Sequence, residues 1–146
     1  MTRTSFTQPI HAPAPGGAPG PVPDAAPAEA PVLDAERLDV FHVAVELHGL
    51  VPQLTPRAGR NLRDQLERAS ASITLNLCEG VARRSPLERA HFVAISRGSA
   101  AESAGIVHLL LSRGLVDEVT AKRARALLVR TISMLTRLEQ RYLRRP

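Results

Sequence analysis

Between Leu62 and Gly80 apolar or small residues recur at alternating steps of four and three: Leu62, Leu66, Ala69, Ile73, Asn76 and Gly80. A strand, with its period of two, would scatter these residues over both faces of a sheet. A helix gathers them into one seam. Steps of four and three are the mark of helices packed lengthwise, and a single asparagine in such a seam is a device for fixing register. A seam this long needs covering by other helices.

Three further segments supply them. Asp34 is placed as an N-cap, with Leu38, Phe41, Val45 and His48 on one stripe, Ala44, Leu47 and Val51 beside it, and Pro52 ending the helix. The run "SPLE" places Ser85 as N-cap, Pro86 as first helical residue and Glu88 as the far side of a capping box. Behind it Phe92, Ser96, Ser99, Ser103, Ile106 and Leu110 form a stripe that ends at Gly114, a natural left-handed cap. Asp117 caps the last helix, whose seam is Ala124, Leu128, Thr131, Leu135, Leu138 and Tyr142, widened by Leu127. Short connections between four amphipathic helices predict an all-α, antiparallel up-down-up-down four-helix bundle over residues 34–146. The small residues of "ASAS" (Ala69 to Ser72) and "GSAAESAG" (Gly98 to Gly105) predict close approach of backbones, either between these two helices or against a second subunit.

Residues 1–33 are different in kind. Of the twelve prolines in the 146-residue chain, eight lie between Pro9 and Pro31, interleaved with Ala and Gly. Such a stretch has too little large apolar surface to offset its ordering entropy, which predicts a disordered, partly extended tail. An early basic residue is not followed by a continuous apolar stretch, so no signal peptide is expected, and no run approaches the ~18 apolar residues of a membrane span. A single cysteine, Cys78, rules out an internal disulfide framework and suits a reducing cytoplasm, the expected location.

From Ala35 onward 18 Lys and Arg face 11 Asp and Glu, a net of +7, and all but Lys122 of those cations are arginines. Phe41, Phe92 and Tyr142 are the only aromatics in that region. Its core must therefore be aliphatic, and binding by stacking on splayed bases is not expected.

Together, Gln65, Arg68, Ala69, Ser72, Ile73, Asn76, Glu79, Gly80 and Arg83, then Phe92 and "RGSAAE" from Arg97 to Glu102, resemble the bacterial four-helix bundle family whose founders are encoded in intervening sequences of 23S ribosomal RNA genes. The resemblance runs from about Leu38 to Leu143. It implies a bundle that assembles as a homopentamer, with no established enzymatic activity. Distant relatives are accessory factors to reverse transcriptases, where a basic pentamer binds nucleic acid and the polymerase. The chain departs from the family's usual "SIPSNIAEG" at "SITLNLCEG", with Thr74 in place of proline and Cys78 in place of a small residue.

Catalytic and metal chemistry find little footing. Cys78 lies among leucine-type positions, where a lone thiol is ordinarily packed, so pairing it with His91 as a nucleophile is disfavoured. Glu88-x-x-His91 matches half of a di-iron bundle motif, but no second copy exists and Glu88 is assigned to the capping box. His42, His48 and His108 are too far apart in sequence to chelate from one helical turn. "RGS" lies within a helix and is no phosphate loop. No catalytic, cofactor or metal residue is therefore assigned.

Two polar groupings carry more weight. Asn76, Glu79 and Arg83 share one face of the second helix, with Arg97 and Glu102 on the antiparallel third. They are expected to form a buried or half-buried ion-pair network that fixes register or subunit contact; the alternative is a conduit or rim site for a ligand or nucleic acid. The second grouping is basic: Arg83, Arg84, Lys122, Arg123, Arg130, Arg137, Arg141, Arg144 and Arg145 are the candidate contacts for RNA or DNA phosphates. Beyond itself, the expected partner of this non-enzymatic protein is nucleic acid or a nucleoprotein. The alternative is a protein-interaction scaffold or accessory factor, for example to a reverse transcriptase, that does not touch nucleic acid.

Overall fold

A computed structural model describes residues 32–144 of the chain. The expected tail lies outside those residues except for Val32 and Leu33, both exposed, and so does Arg145. A single 3-10 turn, Asp34–Arg37, leads into α1 (Asp39–Gly49) and the one-turn α2 (Val51–Leu54). The long helices follow: α3 (Arg60–Ala82), α4 (Pro86–Ser112) and α5 (Glu118–Leu143). Each of α1, α3, α4 and α5 runs antiparallel to its neighbours. Helix α3 packs on α1 and α4, and α5 packs on α4 and α1, so the expected bundle is the observed one.

The core is aliphatic, as the shortage of aromatics requires. Leu47, Leu54, Leu66, Ile73, Leu77, Leu110, Leu128 and Leu135 are its largest fully buried side chains. Truncating any one of them to alanine would cost about 2–5 kcal/mol, the sum of lost transfer energy and the cavity left behind.

The α5 seam lies inward as predicted, with Ala124, Leu127, Leu128, Thr131, Leu135 and Tyr142 buried and Leu138 packed at the edge. In α3 the seam is wider than predicted, because Ser70 and Leu77 are also wholly buried. The first helix differs more. Its buried face is Val40, Val43, Ala44 and Leu47, while Val45 is 47% exposed. The reason is the start. Asp34 begins a 3-10 turn instead of capping the helix, and the α-helical cap falls at Leu38, four residues later. Pro52 does not terminate α1 either. It occupies the first turn of α2, where its missing N–H costs nothing.

Helix α3 continues past Gly80 to Ala82 and is capped by Arg83. A Cβ on Gly80 would lie 3.0 Å from the Phe92 Cβ and 3.4 Å from the Arg89 carbonyl oxygen. This is the point at which the α3 and α4 backbones approach closely. Gly98 and Gly105, by contrast, would have nothing within 4 Å of an added methyl and face away from the bundle. Elsewhere the close approach between α3 and α4 is made by serines. Ser96 Oγ donates to the Ile73 carbonyl at 2.7 Å, and the Ser72 and Ser99 hydroxyls meet at 2.8 Å.

Candidate nucleic-acid interface

The α3–α4 connection and the last turns of α5 lie together at one end of the bundle, and the joining residue is Arg89. Its Nε donates to the Arg83 carbonyl at 2.5 Å, and its guanidinium sits 5.7 Å from the centre of the Tyr142 ring. Thus the cap of α3, the first turn of α4 and the end of α5 converge on one guanidinium. Arg83 itself lies 5.0 Å over the Phe92 ring and pairs with Glu79 one turn earlier. Both members of that pair are about half exposed to water, so the pair contributes little to stability. Arg84 is exposed beside them.

Arg137, Arg141 and Arg144, at steps of four and three, line one surface hollow with Gln140. Among the described residues none of Arg84, Arg89, Arg130, Arg137, Arg141 and Arg144 forms an ion pair. Lys122 and Arg123 stand apart from this group at the other end of α5. Lys122 is paired with Glu118 at 3.1 Å and Arg123 with Glu46 of α1 at 3.1 Å, so their charge is locally balanced. The nine arginine and lysine candidates therefore divide: Arg83, Arg84, Arg137, Arg141 and Arg144 gather at one end, Arg130 lies midway, Lys122 and Arg123 are remote, and Arg145 is outside the described residues. Sequence reasoning does not select Arg89. Only its tertiary contacts with Arg83 and Tyr142 place it in the group, and nothing in the local sequence distinguishes it from a solvated helix arginine.

The five residues read as one polar network do not form one. Asn76 donates to the Ser72 carbonyl at 2.8 Å and to its hydroxyl at 2.9 Å, and so belongs to the serine contacts between α3 and α4. Glu79 and Arg83 pair with each other. Arg97 reaches Glu139 on α5 at 3.0 Å, and Glu102 is exposed with no ion pair among the described residues. The cause is rotation about α4. Each residue turns by about 100°, so with Ser96 and Ser99 facing α3, Arg97 is carried round to α5.

Cys78 is partly buried on α3, and burial pushes its thiol above the ordinary value, with the Glu36 carboxylate adding to the shift. That is the opposite of what an activated nucleophile requires. His91 is exposed and lies edge-on to Phe92. Ser85 holds the cap position of α4 with Pro86 next, but its side chain makes no capping hydrogen bond, so the capping box is positional only. Among the described residues no group of three or more His, Cys, Asp or Glu side chains could hold a metal ion. His48 shares its Nδ1 with the buried Ser70 hydroxyl at 2.8 Å, beside a hollow of about 510 Å³ that Val51, Pro52, Arg63 and Glu67 also line.

Fold and site together define an all-helical, antiparallel four-helix bundle with a basic end built from three helices. The chain belongs to the 23S rRNA-intervening sequence protein family, which it matches over residues 36–137. No curated protein matches it. Among the described residues no helix is long and apolar enough to cross a membrane.

Proposed function

We propose that this protein is a non-enzymatic homo-oligomer that holds RNA or DNA by the phosphate backbone through its arginine-rich end. The observation that carries the reading is that Arg84 of the α3–α4 connection, Arg89 of α4, and Arg137, Arg141 and Arg144 at the end of α5 form no ion pair among the described residues, although Asp39 borders one hollow with Arg137 and Arg141. Like charges collected in this way repel each other, and a polyanion relieves that repulsion while releasing its counterions.

Self-assembly is supported by α4. Its inner face is core, yet Leu87 is 71% and Leu109 is 53% exposed on the outside, with Ile95 between them. Gly98, Glu102 and Gly105 continue the same outer stripe at steps of four and three. A helix that is apolar on opposite faces calls for a covering on both. Interior glycines cost about 1 kcal/mol each relative to alanine, and close approach by a second helix would offset that cost. The family resemblance puts the number of copies at five, which concentrates the positive field without adding a contact.

The test is the mass of the purified full-length protein together with its affinity for a mixed-sequence oligonucleotide across a salt series. A mass of several protomers and affinity that falls steeply from low to moderate salt are expected. Affinity flat with salt, or absent in the assembled protein, rejects the reading. A protein partner that stays bound after nuclease treatment would favour the scaffold alternative.

A further inference from the structure

We infer that the arginine-rich end takes double-helical nucleic acid and not single strands; the inference rests on the nucleic-acid reading above. Two observations carry it. The first concerns the rings. Proteins that hold single strands offer open aromatic faces on which unstacked bases lie. Here Phe92 lies under Arg83 at 5.0 Å, Tyr142 lies under Arg89 at 5.7 Å with only 9% of its surface exposed, and Phe41, in the first turn of α1, is half-buried against the core. The exposed imidazoles at this end, His42 and His91, stand edge-on to Phe41 and Phe92. A base has no open aromatic platform to occupy there.

The second observation concerns the guanidinium of Arg89. It is held by its contact with the Tyr142 ring and by the bond from Nε to the Arg83 carbonyl. The two terminal amino groups have no acceptor among the described residues. A guanidinium held in this way is a preformed fork for two phosphate oxygens. Arg84 lies in the α3–α4 connection and Arg144 caps α5, so the fork and these point charges are carried by separate elements at one end. A preset fork with charges on separate elements suits the fixed phosphate positions of a duplex. A single strand would have to be ordered to fit it, and it gains no stacking in return.

The test uses the full-length protein with one 20-nucleotide sequence as single strand and as annealed duplex, in DNA and in RNA, followed by fluorescence anisotropy at several salt concentrations. Duplex binding at least tenfold tighter than single-strand binding is expected, in one or both chemistries. Arg89→Ala should weaken duplex binding roughly tenfold, in line with loss of a charged hydrogen-bond pair. Because that variant also removes packing on Tyr142, Arg89→Lys serves as its companion. It keeps the charge and stem but loses the fork, and should fall between wild type and alanine with the helical content unchanged. Equal or tighter binding of the single strand overturns the inference while leaving the nucleic-acid reading in place. Full duplex affinity in Arg89→Lys overturns the fork. Binding of neither form removes the nucleic-acid reading and the inference with it.

Discussion

Gly80 shows how much one missing side chain can decide. Its Cα faces α4 at the point where an added Cβ would meet the Phe92 Cβ at 3.0 Å and backbone oxygen at 3.4 Å. Neither neighbour is the free end of a flexible side chain, so the helices must part. Gly80→Ala is expected to destabilise the fold by about 1–3 kcal/mol, as overpacking does, despite alanine's better helix propensity. Thermal unfolding reads this, and a variant as stable as wild type would show that the two helices can part without cost. Cys78 gives a second residue-scale outcome. With its thiol raised by burial and by Glu36, it should alkylate slowly at neutral pH in the folded protein and rapidly once unfolded. A thiol as fast in the native state as in denaturant would reopen the case for chemistry at this position. Both residues stand out in the sequence, but their roles do not follow from it equally. That Cys78 is packed follows from its leucine neighbours. That Gly80 is a contact and not a helix stop depends on Phe92, which is brought opposite only by the antiparallel pairing of α3 with α4.

At the scale of elements, the stop and start signals between α4 and α5 are legible because they act locally. Gly114 has φ +66°, and around it the Gly114 N–H bonds the Leu111 carbonyl and the Leu115 N–H bonds the Leu110 carbonyl, each at 2.9 Å. That pair of bonds is a Schellman motif. Three residues on, the Asp117 carboxylate accepts from the Thr120 backbone N–H at 2.9 Å and from its hydroxyl at 2.7 Å. These bonds favour the ionised form and hold the Asp117 pKa below its ordinary value. A lowered folded-state pKa adds stability that is present above the ordinary carboxylate range and is lost as pH falls through the lowered value. Asp117→Asn keeps a capping oxygen but cannot titrate. It should therefore lose less stability than wild type on acidification, as compared by thermal unfolding at neutral and acid pH. Identical acid dependence in the two proteins would show that this cap does not contribute. The start of α1 is less legible, because Asp34 resembles a cap in the sequence while the observed cap, Leu38, makes no side-chain hydrogen bond at all. There the entry is set by the 3-10 turn, with the Glu36 carboxylate accepting the Leu33 N–H at 2.7 Å. The ion pairs are legible least of all. A pair such as Arg97 with Glu139 spans 42 positions and depends on the rotation of two helices at once.

For the whole molecule, charge and assembly are one question. A single basic end presents few phosphate contacts, and exposed arginines are screened within roughly 10 Å at ordinary salt. Several copies on one assembly would bind one polyanion at several places, and each contact after the first becomes intramolecular. The outer stripe of α4 and the arginine-rich end are then coupled even though they share no residue. Ile95→Glu with Leu109→Glu separates them. Both side chains are exposed in the protomer, at 38% and 53%, so the bundle should fold with unchanged helical content. Like charges placed on an apolar interface should reduce the assembled mass toward the 15.8 kDa chain. Two extra carboxylates on a face away from the arginines would by themselves weaken phosphate binding only slightly. Loss of avidity should weaken it by roughly 10²-fold or more, with a shallower dependence on salt. Sedimentation and an anisotropy titration on the same samples distinguish the cases. If the mass falls and affinity is kept, each bundle binds alone. If the mass does not fall, the stripe on α4 is not what joins the copies.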